Sequence, residues 1–183
     1  MKSMTRDNST CPPFRRFLAI VLPVMALSGA HCVFGPDPME GQAAPAFSLP
    51  SLDGETVNLA DYLGKKVVLL DFWASWCPPC RQTMPIINAV AAQYAGKDAA
   101  VFAVNVGETQ ATVQAFIDEL GLNAVTVLRD EDGSVGEQYG TRSIPRMILI
   151  DKQGTVRQVH SGYSSGLQAD LSEAIDTLLA EQR

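Results

Sequence analysis

Residues 66–80 read KVVLLDFWASWCPPC, and this stretch decides the fold class. Its first part, 66–73, is almost wholly apolar and rich in β-branched and aromatic side chains, which predicts a strand buried on both faces of a mostly parallel sheet. After Cys80 the apolar residues are spaced three or four apart, which predicts a helix that continues to about residue 95. Cys77 therefore stands where a central strand ends and a helix begins.

The position of Cys77 predicts its chemistry. Unpaired backbone N–H groups at a helix start favour an anion, so a cysteine there has a lowered thiol pKa and is a nucleophile near neutral pH. Cys80 follows one helical turn later, close enough to attack a mixed disulfide on Cys77 and release the partner. We therefore predict dithiol–disulfide exchange with Cys77 as the nucleophile and Cys80 as the resolving thiol.

A Cys-x-x-Cys pair can also belong to a structural zinc site or form a purely structural disulfide. A structural zinc site needs a second pair of ligands, and the remaining cysteines and histidines do not supply one; they are Cys11, His31, Cys32 and His160. A purely structural disulfide closing so short a loop removes little chain entropy. We expect the two thiols to carry the chemistry with no cofactor and no metal.

Length and charge indicate one globular domain and argue against nucleic acid as a partner. The chain has 183 residues, of which 46% are hydrophobic and 19% charged, as in a globular protein with a real core. The first 30 residues carry four basic side chains and one acidic one, so the formal net charge of −6 leaves −9 on the remainder. An acidic body of this kind argues against nucleic acid as a partner.

The N-terminus has the order of a secretory signal. Two arginines at 15–16 precede the apolar run 17–27, and small residues follow at 28–30. A basic start, an apolar centre and a small-residue end are the pattern that an export signal requires. We therefore expect export to the bacterial periplasm or to the outer face of the inner membrane, where a cysteine pair can persist oxidised.

The fate of this segment is left open by the sequence. Residues 1–30 could be removed as a signal peptide, or 17–34 could be retained as a membrane anchor, since that stretch is just long enough to span a bilayer. Cys32 adds lipid attachment as a third outcome, although residues 29–31 do not match a bacterial lipobox.

The remainder of the chain predicts a mixed α/β domain. Prolines and glycines mark 31–45 as a linker, which leaves 46–183 as the folded domain. Segments 46–49 and 55–59 alternate around an Asp-Gly turn and predict a β-hairpin. Further strands are predicted at 100–106, 125–128, 146–150 and 155–160, and further helices at 109–120, 134–139 and 167–180. This order favours a mixed central sheet flanked by helices.

Several motifs carry a family likeness. They are WCPPC at 76–80 with Pro85 behind it, YGTRSIP at 139–145, APAFSL at 44–49 and AVNVGE at 103–108. Together they resemble the thioredoxin superfamily, and more narrowly the exported TlpA/ResA-like thiol–disulfide oxidoreductases, over about residues 41–180. The resemblance implies a thioredoxin fold with an N-terminal β-hairpin and a helix–strand insertion before the family's cis-proline.

The resemblance also implies a client-binding surface beside the cysteines. Pro145 matches the family's cis-proline, which lies against the active-site disulfide. A cis bond there would expose the backbone of Ile144 next to Cys77, so that a client strand could pair with it by β-type hydrogen bonds. Trp76 matches the aromatic residue that covers the site in this family.

Four further positions are compared with the family pattern. Asp71 matches a buried carboxylate beneath the second cysteine, where a raised pKa would let it take a proton during resolution. Glu108 ends a strand and is either a site residue or a solvated loop carboxylate. Arg146 stands where the family usually has Thr, and it adds a cation near the site unless it faces away or pairs with a carboxylate. Thr83 replaces the Glu found in many members that act in cytochrome c maturation, which argues against that specialised role.

These observations predict an exported oxidoreductase that exchanges disulfides with client proteins. We expect it to act as a monomeric reductant supplied with electrons by a membrane thiol reductase, although the sequence leaves the direction of electron flow open. A thiol-dependent peroxidase is the first alternative, but it would need Thr or Ser where this chain has Ala74. Copper delivery through the two thiolates is the second, and His160 is its candidate additional ligand.

Overall fold

The computed structural model describes residues 35–181 of the chain. The strands in that part are β1 (Ser48–Pro50), β2 (Thr56–Asn58), β3 (Val67–Trp73), β4 (Ala99–Val106), β5 (Thr126–Asp130), β6 (Arg146–Ile150) and β7 (Val156–Ser161). The helices are α1 (Pro78–Tyr94), α2 (Gln110–Leu120), α3 (Ser134–Gln138) and α4 (Leu167–Glu181), with a 3-10 turn at Leu59–Asp61. The predicted signal or anchor segments and Cys32 lie outside the described residues.

A five-stranded mixed sheet forms the centre of the domain, in the order β5-β4-β3-β6-β7. The three strands β3, β4 and β5 are parallel, whereas β6 runs antiparallel to β3 and β7 antiparallel to β6. All seven residues of β3 are buried, as its uninterrupted apolar sequence predicts for a central strand. The predicted mixed sheet flanked by helices is confirmed.

The two faces of the sheet bury different parts of the chain. Leu69 and Trp73 of β3 face the side on which α1, α2 and α4 pack. Leu70 and Phe72 face the opposite side, which is covered by the antiparallel β1–β2 hairpin and α3. Side chains alternate along a strand, so Asp71 lies on the same face as Leu69 and Trp73, beneath α1.

The elements between β4 and Pro145 are α2, β5 and α3, which is where the family likeness implied an insertion. Thr109 caps α2 by accepting a hydrogen bond from the N–H of Thr112, and Gly121 ends it with a positive φ of 62°. The strand β5 runs two residues beyond its predicted end, because Arg129 and Asp130 pair with β4. Both side chains are polar, so a search for apolar runs ends the predicted strand at residue 128.

The segment before the hairpin is bonded to the domain, although 31–45 was predicted to be a linker. The N–H of Gly41 donates to the carbonyl oxygen of Val156 at 2.8 Å, and the N–H of Ala44 donates to that of Gly154 at 2.8 Å. Met39 packs against the core of the hairpin face. The domain thus extends to residues before 46, since proline and glycine mark irregular backbone but do not prevent backbone pairing.

None of the helices within residues 35–181 is long and apolar enough to cross a membrane.

Candidate active site

Cys77 and Cys80 form a disulfide at the start of α1, with their Cα atoms 5.3 Å apart. Cys77 follows the loop that leaves β3, and its extended backbone makes it the N-cap of the helix. Its side chain is 3% exposed, whereas Cys80 is fully buried. Of the two sulfurs, only that of Cys77 therefore lies where a client could approach it.

The two prolines after Cys77 leave the N–H of Cys80 as the first backbone donor at the helix start. Pro78 and Pro79 have no N–H, so the first backbone donor of α1 is the N–H of Cys80, which lies 3.3 Å from Cys77 Sγ. The next cation along the helix, Arg81, pairs with Glu119 and is not directed at the sulfurs. The helix start thus offers the Cys77 sulfur one backbone hydrogen bond and no direct cation.

The loop before β6 lies against the Cys77 sulfur. The Ile144–Pro145 peptide bond is cis, and the carbonyl oxygen of Ile144 lies 3.6 Å from Cys77 Sγ. Beside Cys77 lies a groove of about 500 Å³. It is lined by Cys77 itself, by residues 141–144 and by Trp76, which is 69% exposed. The structure therefore places Trp76, Ile144 and Pro145 beside Cys77, as the family likeness implied.

Asp71 is a buried carboxyl group on the α1 side of the sheet. Its two oxygens have no hydrogen-bond partner within the described part of the chain. Complete burial raises the pKa of Asp71 well above its ordinary value, because the charged form loses its hydration. Ala103, which pairs with Asp71 from the neighbouring strand β4, belongs with Cys80 to the apolar cluster on this face. Asp71 is therefore a buried carboxyl group with a raised pKa on the face of the sheet that also carries Cys80.

Glu108 is a partner of the active-site loop. Its carboxylate accepts hydrogen bonds from the N–H of Ser75 at 2.7 Å and from Nδ2 of Asn105 at 2.7 Å, and also from the Ser75 hydroxyl. Ser75 precedes Cys77 by two residues, so these bonds tie the end of β4 to the loop that carries the nucleophile. The solvated-loop alternative for Glu108 does not describe this arrangement.

Replacing Glu108 with glutamine should loosen that loop. The amide group cannot reproduce two charge-assisted bonds from Ser75 and one from Asn105, each worth about 1.5–3 kcal/mol. We expect amide hydrogen exchange at Ser75 to accelerate about 10-fold or more, measured by NMR. Glu119→Gln, which alters an exposed carboxylate paired with Arg81, is the matched control. Unchanged exchange at Ser75 would contradict the role given to Glu108.

Arg146 does not supply a cation to the cysteines. Its register partner in β3 is Phe72, which faces away from α1. Its guanidinium pairs with both carboxylate oxygens of Asp37 at 3.0 Å, and its Nε donates to the carbonyl oxygen of Tyr139 at 3.1 Å. The bonds also lower the pKa of Asp37, the Arg146 hydrogen bond being the largest cause. Of the alternatives stated for Arg146, the structure has the pairing with a carboxylate, and the side chain anchors the segment that contains Asp37 on the face opposite α1.

The residues that bear on the alternative functions offer neither a peroxidase hydroxyl at position 74 nor a cluster of metal ligands within residues 35–181. Ala74 is buried and offers no hydroxyl group at the position where a peroxidase would need one. Thr83 is buried in α1, where its hydroxyl donates to the carbonyl oxygen of Cys80. His160 lies half-buried on the edge strand β7, and burial lowers its pKa. Across residues 35–181, no cluster of three or more His, Cys, Asp or Glu could hold a metal ion.

Three residues near the cysteines were missed by the sequence analysis: Ser75, Asn105 and Arg142. Asn105 carried a signal, because it is a lone amide in the apolar run of β4, three residues before Glu108. Ser75 and Arg142 carried none, since both lie in short loops whose composition is ordinary.

Comparisons with known proteins agree with this geometry. The chain matches the Redoxin family over residues 39–178. It is 42% identical over 126 residues to the thioredoxin-like protein YneN of Bacillus subtilis (strain 168), covering 67% of this chain and 72% of that protein. It is 38% identical over 122 residues to the thiol-disulfide oxidoreductase ResA of Halalkalibacterium halodurans, covering 67% and 68% of the two chains.

A solved structure gives the same result for the fold. The crystal structure assigned as the thiol:disulfide interchange protein DsbE of Chlorobium tepidum superposes with a TM-score of 0.70 at 36% identity, covering 79% of this chain and 99% of that one. The family match spans most of the chain, and the matched part contains the Cys77–Cys80 disulfide. The chain therefore belongs to the Redoxin family and is a TlpA/ResA-like thiol–disulfide oxidoreductase of the thioredoxin superfamily.

Proposed function

We propose that this oxidoreductase is exported and reduces disulfides of client proteins, with Cys77 as the nucleophile and Cys80 as the resolving thiol. The observation that carries the proposal is the unequal placement of the two sulfurs: Cys77 lies at the rim of the groove, whereas Cys80 is fully buried behind it. A client disulfide can then meet only the first sulfur, and the second remains available for the intramolecular step.

The proposed reaction moves two electrons to the client in two exchanges. The Cys77 thiolate attacks one client sulfur, the client disulfide breaks, and the other client sulfur leaves as a thiolate. Cys80 then gives up its proton to Asp71 and attacks Cys77 Sγ, which breaks the mixed disulfide and releases the second client thiolate. The raised pKa of Asp71 suits this step, because the ionised carboxylate is then a stronger base. The protein ends as the Cys77–Cys80 disulfide.

The small number of groups that stabilise the Cys77 thiolate supports a reductant role. A strong oxidant needs a stable reduced form. Here the Cys77 sulfur receives one backbone hydrogen bond, and the buried acid on the Cys80 side favours no additional anion. We expect a reduction potential near that of thioredoxin, about −270 mV, in equilibrium with glutathione. A value near about −120 mV would contradict the reductant role.

The cellular setting of the proposal rests on the N-terminal sequence. We propose that residues 1–30 direct export, that the domain works as a monomer outside the inner membrane, and that a membrane thiol reductase restores its dithiol. Fractionation of cells and the mass of the mature protein test this directly. A cytoplasmic protein that keeps its N-terminal methionine would contradict the export proposal.

Cys77 should be the thiol of the reduced domain that reacts first with iodoacetamide near pH 7. Cys77 lines the groove, at 3% exposed, and its sulfur accepts the helix-start hydrogen bond, whereas Cys80 is fully buried. Limited labelling followed by peptide mass mapping measures the order of reaction. Preferential modification of Cys80 would overturn the assignment of roles.

A further inference from the structure

Arg142 is an arginine without a carboxylate partner. Among residues 35–181 the other arginines each form an ion pair, and these are Arg81, Arg129, Arg146 and Arg157. No carboxylate of the described part lies within ion-pair distance of Arg142, which is exposed. The domain is acidic overall, so an arginine that remains unpaired in it is available to a partner.

The position of Arg142 connects it to the chemistry. It lines the same groove as Cys77 and lies two residues before Ile144, whose carbonyl oxygen faces the Cys77 sulfur. The other walls of the groove are mainly apolar and come from Trp76 and the two prolines after Cys77. No acidic side chain lines this groove. The residues that line this groove are therefore mainly apolar and include one cation.

We propose that Arg142 is a specificity-determining residue, and that the groove takes an extended client segment with an aspartate or glutamate about two residues from the cysteine attacked by Cys77. The inference rests on the proposed function and names the substrate class of that same site. The apolar walls contact the client backbone and its apolar side chains, while the guanidinium donates charge-assisted hydrogen bonds to the client carboxylate.

The spacing follows from strand geometry. A client that pairs with the Ile144 backbone is extended and advances about 3.3 Å per residue. If the client cysteine lies at Cys77, a client residue two positions away lies about 7 Å along the groove, within reach of the long Arg142 side chain that lines the same groove. Side chains two apart on a strand share a face, so a carboxylate there points to the same side as the reacting sulfur.

Reduction of matched peptides tests the proposal. Each peptide carries one cysteine as a mixed disulfide with 2-thiopyridone, and Asp, Asn or Lys stands two residues from that cysteine on either side. The full-length reduced protein attacks the peptide sulfur, and the released thiopyridone is followed by its absorbance. We expect the Asp peptide to react about 3- to 10-fold faster than the Asn peptide, with the Lys peptide slowest. High salt should reduce the difference, because the pair is exposed.

Three variants distinguish recognition by Arg142 from the effect of the protein's net charge. Arg142→Gln should remove the preference, and Arg142→Glu should reverse it in favour of the Lys peptide. Arg157→Gln makes the same change in net charge near the far end of the sheet and should leave the preference unchanged. Equal rates for the three peptides with the wild-type protein, or a preference that survives in Arg142→Gln, would contradict the inference alone. Failure to react with any peptide would contradict the proposed function itself.

Discussion

The Cys80→Ser variant should accumulate client proteins bound to Cys77 through a mixed disulfide. The first exchange needs only Cys77, but release needs the second thiol, and a serine hydroxyl cannot attack a disulfide in its place. Turnover in an insulin-reduction assay should fall to the background rate of the buffer thiol. Non-reducing gels of cell extracts should show adducts that disappear on reduction.

The matched control for the trapping experiment is Cys77→Ser. That variant keeps a buried thiol at position 80, which is fully shielded from solvent, and should form no adducts. Mass spectrometry of the Cys80→Ser adducts would name the clients and show whether acidic residues flank their cysteines. If Cys80→Ser reduces insulin as fast as the wild type, the dithiol mechanism is wrong.

The Asp71→Asn variant should separate proton transfer from folding. The substitution keeps the shape of the side chain and removes the proposed acceptor of the Cys80 proton, so the resolving step should slow by about 10-fold or more. The first exchange should be nearly unchanged, because Cys77 retains its hydrogen bond from the N–H of Cys80. Stopped-flow measurement of mixed-disulfide formation and decay distinguishes the two steps, and an unchanged decay rate across about pH 6–9 would remove Asp71 from the mechanism.

The same variant should change how stability depends on pH. Burial raises the pKa of Asp71 in the folded protein above its ordinary value of 3.8, so between the two values the native state holds a proton that the unfolded chain has released. The free energy of unfolding of the wild type therefore falls as pH rises from about 4 through the raised pKa. Asp71→Asn lacks this titration and should be more stable than the wild type by about 1 kcal/mol or more near pH 8.

Urea denaturation of the oxidised proteins at several pH values measures this difference. Asp98→Asn is the control, since Asp98 is an exposed carboxylate near Lys152 and should leave the pH profile of the wild type in place. A difference between Asp71→Asn and the wild type that stays constant from about pH 4 to pH 8 would show that Asp71 does not titrate in the native state with a raised pKa.

The central part of this site could be predicted from residues close together in the chain. The strand before Cys77, the helix after it and the burial of Asp71 all follow from the local order of apolar and polar residues. Burial on both faces makes a strand read as a continuous apolar run, and a helix start is a local arrangement of N–H groups. The roles of the two cysteines depend on these features, so they could be inferred before any tertiary contact was known.

Contacts between distant parts of the chain determine which charged side chains lie beside the cysteines. Arg146 pairs with Asp37, which is 109 residues away in the sequence, and not with a group near the cysteines. Glu108 accepts hydrogen bonds from Ser75, which is 33 residues away. No local pattern encodes such a pair, because its formation depends on the strand order that brings the two segments together. The amino-acid sequence by itself therefore determined the fold class and the reactive cysteine pair. Only the tertiary structure decided that Arg142, and not Arg146, lines the groove beside them, since the register of β6 turns Arg146 to the opposite face.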